Sequence, residues 1–342
     1  MQEITIQQAL ALSNTVFVDV RSPGEFAEAS IPGAINLPLL DDEERAKVGT
    51  VYKQIGPEQA RFLGVDVVSP KLSQLMGELR ELAKQGQIIV FCWRGGMRSK
   101  AMCQFAQLVD LPVARLSGGY KAYRRYINEF MQAPELTSRA IVLDGNTGVG
   151  KTEMLDRLAE LGVGVVDLEG LANNRGSVFG NVGLGGQPSQ KAFDSGLVDA
   201  LLKPECSTRF VVECESKRIG RLMVPDIVVR AMAEGEHVLL YGSIEKRVER
   251  LVNLYCSNPD YKPELCKAVE AIASRLGRAK AEELKILIQE GDYAPCVEYL
   301  LVYYYDPLYR YPHEPTGDYR LAVCTDDMEA AAQQLAKYIL AQ

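Results

Sequence analysis

The stretch Gly145-Asn146-Thr147-Gly148-Val149-Gly150-Lys151-Thr152 constrains the fold of this chain more than any other. It satisfies the Walker A spacing in full, and it lies between Ala140-Ile141-Val142-Leu143-Asp144, which reads as a buried strand, and a segment through Leu161 with helical spacing. A glycine turn in that context aims backbone amides and the positive end of a helix at one point, which suits a diphosphate. Lys151 would neutralise the anion, and the Thr152 hydroxyl could reach a magnesium ion. Gly145, Asn146, Gly148, Val149, Gly150, Lys151 and Thr152 are therefore the expected phosphate-binding residues.

Further buried strands are expected at 163–168, 210–213 and 237–241, so this region reads as an α/β domain of the P-loop NTPase type. Asp167 and Glu213 each close one of these apolar runs, which makes both candidate acids or metal ligands; helix capping or ion pairing is the plainer role. Residues 243–290 are mostly helical and polar in pattern and read as a lid or insertion. With 342 residues, 47% hydrophobic and 24% charged, the chain is long enough for two globular cores. The turn-rich stretch 131–136 is the expected boundary, giving domains 1–132 and 133–342.

The first domain is also α/β. Thr15-Val16-Phe17-Val18-Asp19-Val20 and Ile88-Ile89-Val90-Phe91 read as strands, and the second delivers Cys92 into the loop Cys92-Trp93-Arg94-Gly95-Gly96-Met97-Arg98 ahead of a helix. A thiol placed there faces backbone amides and a helix N-terminus, which favours the thiolate and makes an anion cradle. Arg94 and Arg98 add charge for a tetrahedral oxyanion. By itself the loop is equally readable as a buried cysteine beside two surface arginines.

The remaining composition excludes several classes. Eight cysteines (92, 103, 206, 214, 256, 266, 296 and 324) include no Cys-x-x-Cys pair, so neither a zinc ribbon nor a disulfide framework is expected. His237 opens an apolar run and reads as structural, and it is far from His313 in sequence. Met1-Gln2-Glu3-Ile4-Thr5-Ile6 is no basic leader, and no window approaches the ~20 apolar residues of a membrane span. The expected location is cytoplasmic, with no membrane partner. Net charge of -7 argues mildly against nucleic acid, but basic groups at Arg115, Lys121, Arg124, Arg125 and at Lys217, Arg218, Arg221 could steer it locally.

Four segments in order resemble a rhodanese domain: Val18-Asp19-Val20-Arg21-Ser22-Pro23-Gly24-Glu25-Phe26, Ile31-Pro32-Gly33-Ala34-Ile35-Asn36-Leu37-Pro38, the Cys92 loop, and Leu116-Ser117-Gly118-Gly119-Tyr120-Lys121-Ala122-Tyr123. Ser30 stands where that family usually carries histidine. The five residues between Cys92 and Arg98 exceed the four of ordinary sulfurtransferases and match related cysteine phosphatases, but Phe91 replaces the histidine that precedes a phosphatase cysteine. A wider loop equally suits a phosphate-bearing selenium donor.

Rhodanese followed by this P-loop domain, with Asp167-Leu168-Glu169-Gly170-Leu171-Ala172-Asn173-Asn174-Arg175-Gly176-Ser177, Glu213-Cys214-Glu215-Ser216-Lys217-Arg218-Ile219-Gly220 and Tyr305-Asp306-Pro307-Leu308-Tyr309, resembles the bacterial tRNA 2-selenouridine synthases. The resemblance implies conversion of wobble 2-thiouridine in tRNA to 2-selenouridine through S-geranyl-2-thiouridine. Geranyl diphosphate and selenophosphate are the implied substrates, with no tightly bound cofactor and a selenophosphate-producing enzyme as a partner. It casts Cys92 as the selenium acceptor, through a selenylsulfide, with Arg94 and Arg98 holding phosphate or tRNA backbone. Two rivals are an ATP-dependent tRNA sulfurtransferase carrying a persulfide on Cys92, and a signalling protein whose P-loop is a switch.

Overall fold

The computed structural model describes residues 2–341, which form two compact units meeting at Gln132 and Ala133. The first unit holds a five-stranded, all-parallel sheet built from β1 (Gln2–Ile4), β2 (Thr15–Asp19), β3 (Ile35–Asn36), β4 (Gln87–Phe91) and β5 (Val113–Leu116). Their order is β1-β5-β4-β2-β3. Strands covered on both faces read as unbroken apolar runs, and Val18, Ile88, Ile89, Val90 and Phe91 are fully buried. The amphipathic helix Leu72–Leu82 packs Leu75 and Leu79 into the same core. Cys92 thus leaves the central strand at its carboxyl end, the usual position for ligands in open parallel sheets.

The second unit repeats the device. β6 (Arg139–Asp144), β7 (Val165–Val166), β8 (Arg209–Glu213), β11 (Glu236–Tyr241) and β12 (Leu321–Cys324) form a parallel sheet in the order β12-β11-β6-β8-β7, and β9 (Arg218–Ile219) and β10 (Leu222–Met223) pair as a separate hairpin. The glycine loop joins the central β6 to the helix Lys151–Glu160, whose Met154, Leu155 and Leu158 bury against Leu143, Leu240 and Leu335.

Two expectations need correcting. The strand expected over 163–168 is only Val165–Val166, because Asp167 turns the chain and caps the helix Leu168–Ala172 by accepting from the Gly170 amide at 2.8 Å. The helical block runs beyond 290: after Arg278–Glu290 come Tyr293–Leu300, a π-helical turn over Leu301–Tyr305, and Asp306–Tyr309. Cys296, Leu300, Leu301 and Tyr305 are buried, and three of them join Phe179, Leu265, Val269, Leu284 and Ile288 in a second apolar cluster, so the segment is a small helical core rather than a polar cover. Among the described residues no helix is long and apolar enough to cross a membrane.

Candidate functional sites

Cys92 is only 3% exposed, and its Sγ lies 3.2 Å from the Ser99 hydroxyl, in the first turn of the helix Met97–Leu108. That helix begins at Gly96 with no side-chain cap, which leaves its first amides available to an anion. The loop is pinned from behind by the segment carrying Gly118 and Gly119: the Tyr120 and Lys121 amides donate to the Cys92 and Trp93 carbonyls, each at 2.9 Å. Gly119 is required there. Its φ is +58°, and a Cβ would stand 2.1 Å from the Cys92 carbonyl oxygen and 2.4 Å from the Gly95 nitrogen. The Leu116–Tyr123 match therefore has a mechanical meaning, because it is the back wall of the cysteine loop.

The two expected arginines differ. Arg98 is held by Glu25, its two terminal nitrogens donating at 2.5 and 3.2 Å. Burial opposes charge on both groups, but this bond and the opposite charges prevail, raising Arg98 and lowering Glu25. An incoming anion would meet an arginine already oriented. Arg94 is exposed. Beneath the loop Arg21, 2% exposed, forks onto Asp19 at 2.6 to 3.0 Å, donates to the Ala29 carbonyl at 2.7 Å, and stacks over Tyr120 at 4.2 Å. Ser30, at the departure from the rhodanese pattern, donates to Asp19 at 2.7 Å and so belongs to this support.

In the second unit Gly145, Gly148 and Gly150 all have positive φ, and a Cβ at Gly145 would collide with the Leu240 carbonyl at 2.4 Å. Lys151 donates to the Gly145 carbonyl at 2.8 Å, curled over the loop it would serve. Asn146 is buried and donates to the Tyr311 carbonyl at 3.0 Å; the Val149 side chain joins the core, so Val149 could meet a phosphate only through its backbone. Thr152 donates to Glu169 at 3.2 Å. The loop opens into a solvent-connected cleft of about 2250 Å³ lined also by Asn173, Arg175, Glu215, Arg250 and Tyr309.

Of the two acids singled out by sequence, neither directly faces Thr152. Asp167 is the helix cap described above, and Glu213, 1% exposed, accepts from the Glu169 amide at 2.8 Å. Burial raises both, and the charge of Asp167 raises Glu213 further. The acid against the loop is Glu169. Burial and the neighbouring Glu215 push it up to about 8, while Lys151 pulls the other way; burial raises Glu215 as well. Among the described residues no three His, Cys, Asp or Glu side chains form a metal cage. Thr152 and Glu169 still fit a magnesium ion that takes most of its oxygens from water and a bound diphosphate, since such ions need only one or two protein ligands.

Sequence reasoning missed Arg247 and Arg250, which follow Ser243, the cap of the helix Ile244–Cys256. Arg247, 2% exposed, donates to the Thr147 carbonyl at 2.8 Å and forks onto Asp306 at 2.5 and 3.0 Å, tying the P-loop to the helical block. Asp306 lay within the Tyr305–Tyr309 match, but nothing local announced an arginine partner 59 residues away. Of the basic clusters, Arg115 is occupied by Glu3 and the Gly95 carbonyl, Lys217 by Asp226, and Arg218 and Arg221 by backbone carbonyls. His237, as read, is structural: its ring bridges Asp144 at 2.9 Å and the Met232 carbonyl at 3.2 Å.

A rhodanese-type thiol loop and a P-loop, each at the end of a central parallel strand, define a two-domain protein with two candidate anion sites. Residues 5–126 match the rhodanese-like domain model, and residues 138–341 match the tRNA 2-selenouridine synthase AAA domain model. The tRNA 2-selenouridine synthase of Shewanella frigidimarina is 35% identical, covering 96% of each chain, and that of Hahella chejuensis is 34% identical over 88% of this chain and 86% of its own. The chain belongs to the tRNA 2-selenouridine synthase family. A solved N-terminal domain of a Clostridium difficile protein is 42% identical and covers 37% of this chain and 98% of its own, with a TM-score of 0.36.

Proposed function

We propose that this protein converts wobble 2-thiouridine in tRNA to 2-selenouridine in two steps, geranylation at the P-loop and selenium exchange at Cys92. The observation that carries the reading is the pair of separate anion cradles on the frame of this family. In the first step the loop amides and Lys151 hold geranyl diphosphate, the uridine sulfur forms a bond to the allylic carbon, and the carbon–oxygen bond breaks with its electrons leaving on diphosphate. Magnesium, where bound beside Thr152 and Glu169, would supply further charge neutralisation.

In the second step the S-geranyl group is the leaving group. Selenium in selenophosphate is already reduced, so it can attack C2 and expel geranylthiol directly; lodging it on Cys92 as a selenylsulfide would need an oxidant. The selenylsulfide expectation is therefore replaced. Cys92, with Ser99 on its sulfur and uncapped helix amides ahead of it, suits attack on the phosphorus left attached to selenium. The phosphorus–selenium bond then breaks with its electrons on selenium, and water releases phosphate from the thiol. A five-residue spacing to Arg98 serves this phosphoryl chemistry as it does in phosphatases. Arg94 and Arg98 would hold the phosphate, and an enzyme making selenophosphate is the implied supplier.

The test supplies purified protein with 2-thiouridine tRNA, geranyl diphosphate and selenophosphate, singly and together, and follows nucleoside mass. The S-geranyl product should appear with geranyl diphosphate alone and the selenium product only with both. Unchanged masses in every combination would overturn the assignment. tRNA-dependent ATP hydrolysis with no geranyl product would favour the sulfurtransferase reading.

A further inference from the structure

Beside the P-loop cleft lies a second, partly open pocket on the helical block, about 540 Å³ when the space open to solvent is included. Thr147, Ser177, Leu251 and Tyr255 line both spaces, so they form a shared rim. Beyond that rim the wall is apolar: Leu265, Ile288, Cys296, Val297, Leu300 and Leu301, with no charged side chain among the lining residues. On the rim, burial pushes the Tyr255 hydroxyl up to about 12. The pocket meets the cleft at the phosphate loop itself, through Thr147.

We infer that this chamber receives the ten-carbon tail of the allylic diphosphate whose head the P-loop holds. The inference rests on the proposed geranylation and adds to it where the tail goes and what selects its length. The far, apolar part of the chamber would take the end of the tail, and the shared rim the carbons nearest the diphosphate. A nucleobase would find few polar groups to pair with its ring edges, whereas an alkenyl chain leaves no polar atom unsatisfied there. Thr147 sits between the two spaces, and its carbonyl is fixed by Arg247, so the head-to-tail angle is set by the chain itself.

The test compares inorganic diphosphate, dimethylallyl diphosphate and geranyl diphosphate on wild-type protein and on Val297→Trp, which fills the half-buried wall. Wild type should bind geranyl diphosphate up to roughly a thousandfold more tightly than the five-carbon compound, the scale expected when five further carbons leave water. Val297→Trp should lose most of that preference, retaining affinity for inorganic diphosphate and five-carbon transfer. A variant that transfers ten carbons with undiminished preference overturns the chamber and leaves geranylation standing; wild type with no affinity for either allylic compound overturns geranylation itself. A second measurement needs no variant: alkylation of Cys256 and Cys296, both chamber residues, should be slowed by geranyl diphosphate and not by inorganic diphosphate. Equal rates with the two ligands, or protection by ATP, would contradict the inference.

Discussion

The Cys92 loop and the P-loop are built on the same topological device, a central parallel strand running into a helix N-terminus, yet they differ in what holds them. Each stands beside a buried arginine–aspartate fork. In the cysteine region the pair is Arg21 with Asp19, two residues apart and reinforced by Ser30. In the P-loop region it is Arg247 with Asp306, joining the loop to helices far along the chain. One loop is braced by its own neighbourhood and surrounds a single thiol; the other is braced by the block that walls a large cleft. A small anionic donor needs only the first, whereas a long substrate needs the second.

The largest effects should separate the two regions outright. Cys92→Ala should abolish selenium incorporation and leave S-geranyl product forming, while Lys151→Ala should lower geranylation by about a hundredfold or more, comparable to loss of one transition-state charge contact. Both are read by nucleoside mass.

Next come the forks. Asp19→Ala strands a buried guanidinium, and removing one member of such a pair costs about 3–5 kcal/mol; urea unfolding should show it in the first unit, with diphosphate affinity intact. Asp306→Ala should cost a similar amount in the second unit and also weaken diphosphate binding. Equal diphosphate affinity in the two variants would remove the contrast. Ser30→Ala, which deletes a single bond to a charged partner, should cost about 1–2 kcal/mol.

A smaller effect is the response to pH. Glu169 titrates near 8 in the folded chain against an ordinary 4.5, so between those values the folded state holds more protons and stability falls as pH rises. The melting temperature of wild type should therefore decline from about pH 5 to about pH 8.5, and Glu169→Gln should flatten that decline. A slope unchanged by the substitution would place the shifted group elsewhere.

The sequence made both loops legible because each is local: glycines, a strand before and a helix after. It also showed the α/β class, since buried parallel strands are continuous apolar runs. Glu169 and Arg247 were not legible. Glu169 matters because the turn made by Asp167 brings it back against Thr152, and Arg247 because Asp306 returns from another helix; neither approach has a periodic or spacing signal. The helical block was misread as polar for a related reason: its apolar positions are spread over several short helices that bury one another, and only the three-dimensional packing collects them.

The central claim is that the two steps occupy two different sites. Its most direct measurement gives Lys151→Ala tRNA that already carries S-geranyl-2-thiouridine, together with selenophosphate, and follows formation of 2-selenouridine. The account predicts that selenium enters at close to the wild-type rate, because the P-loop's work has been done in advance. Failure to form 2-selenouridine in a folded Lys151→Ala protein would contradict it and place the P-loop in the selenium step.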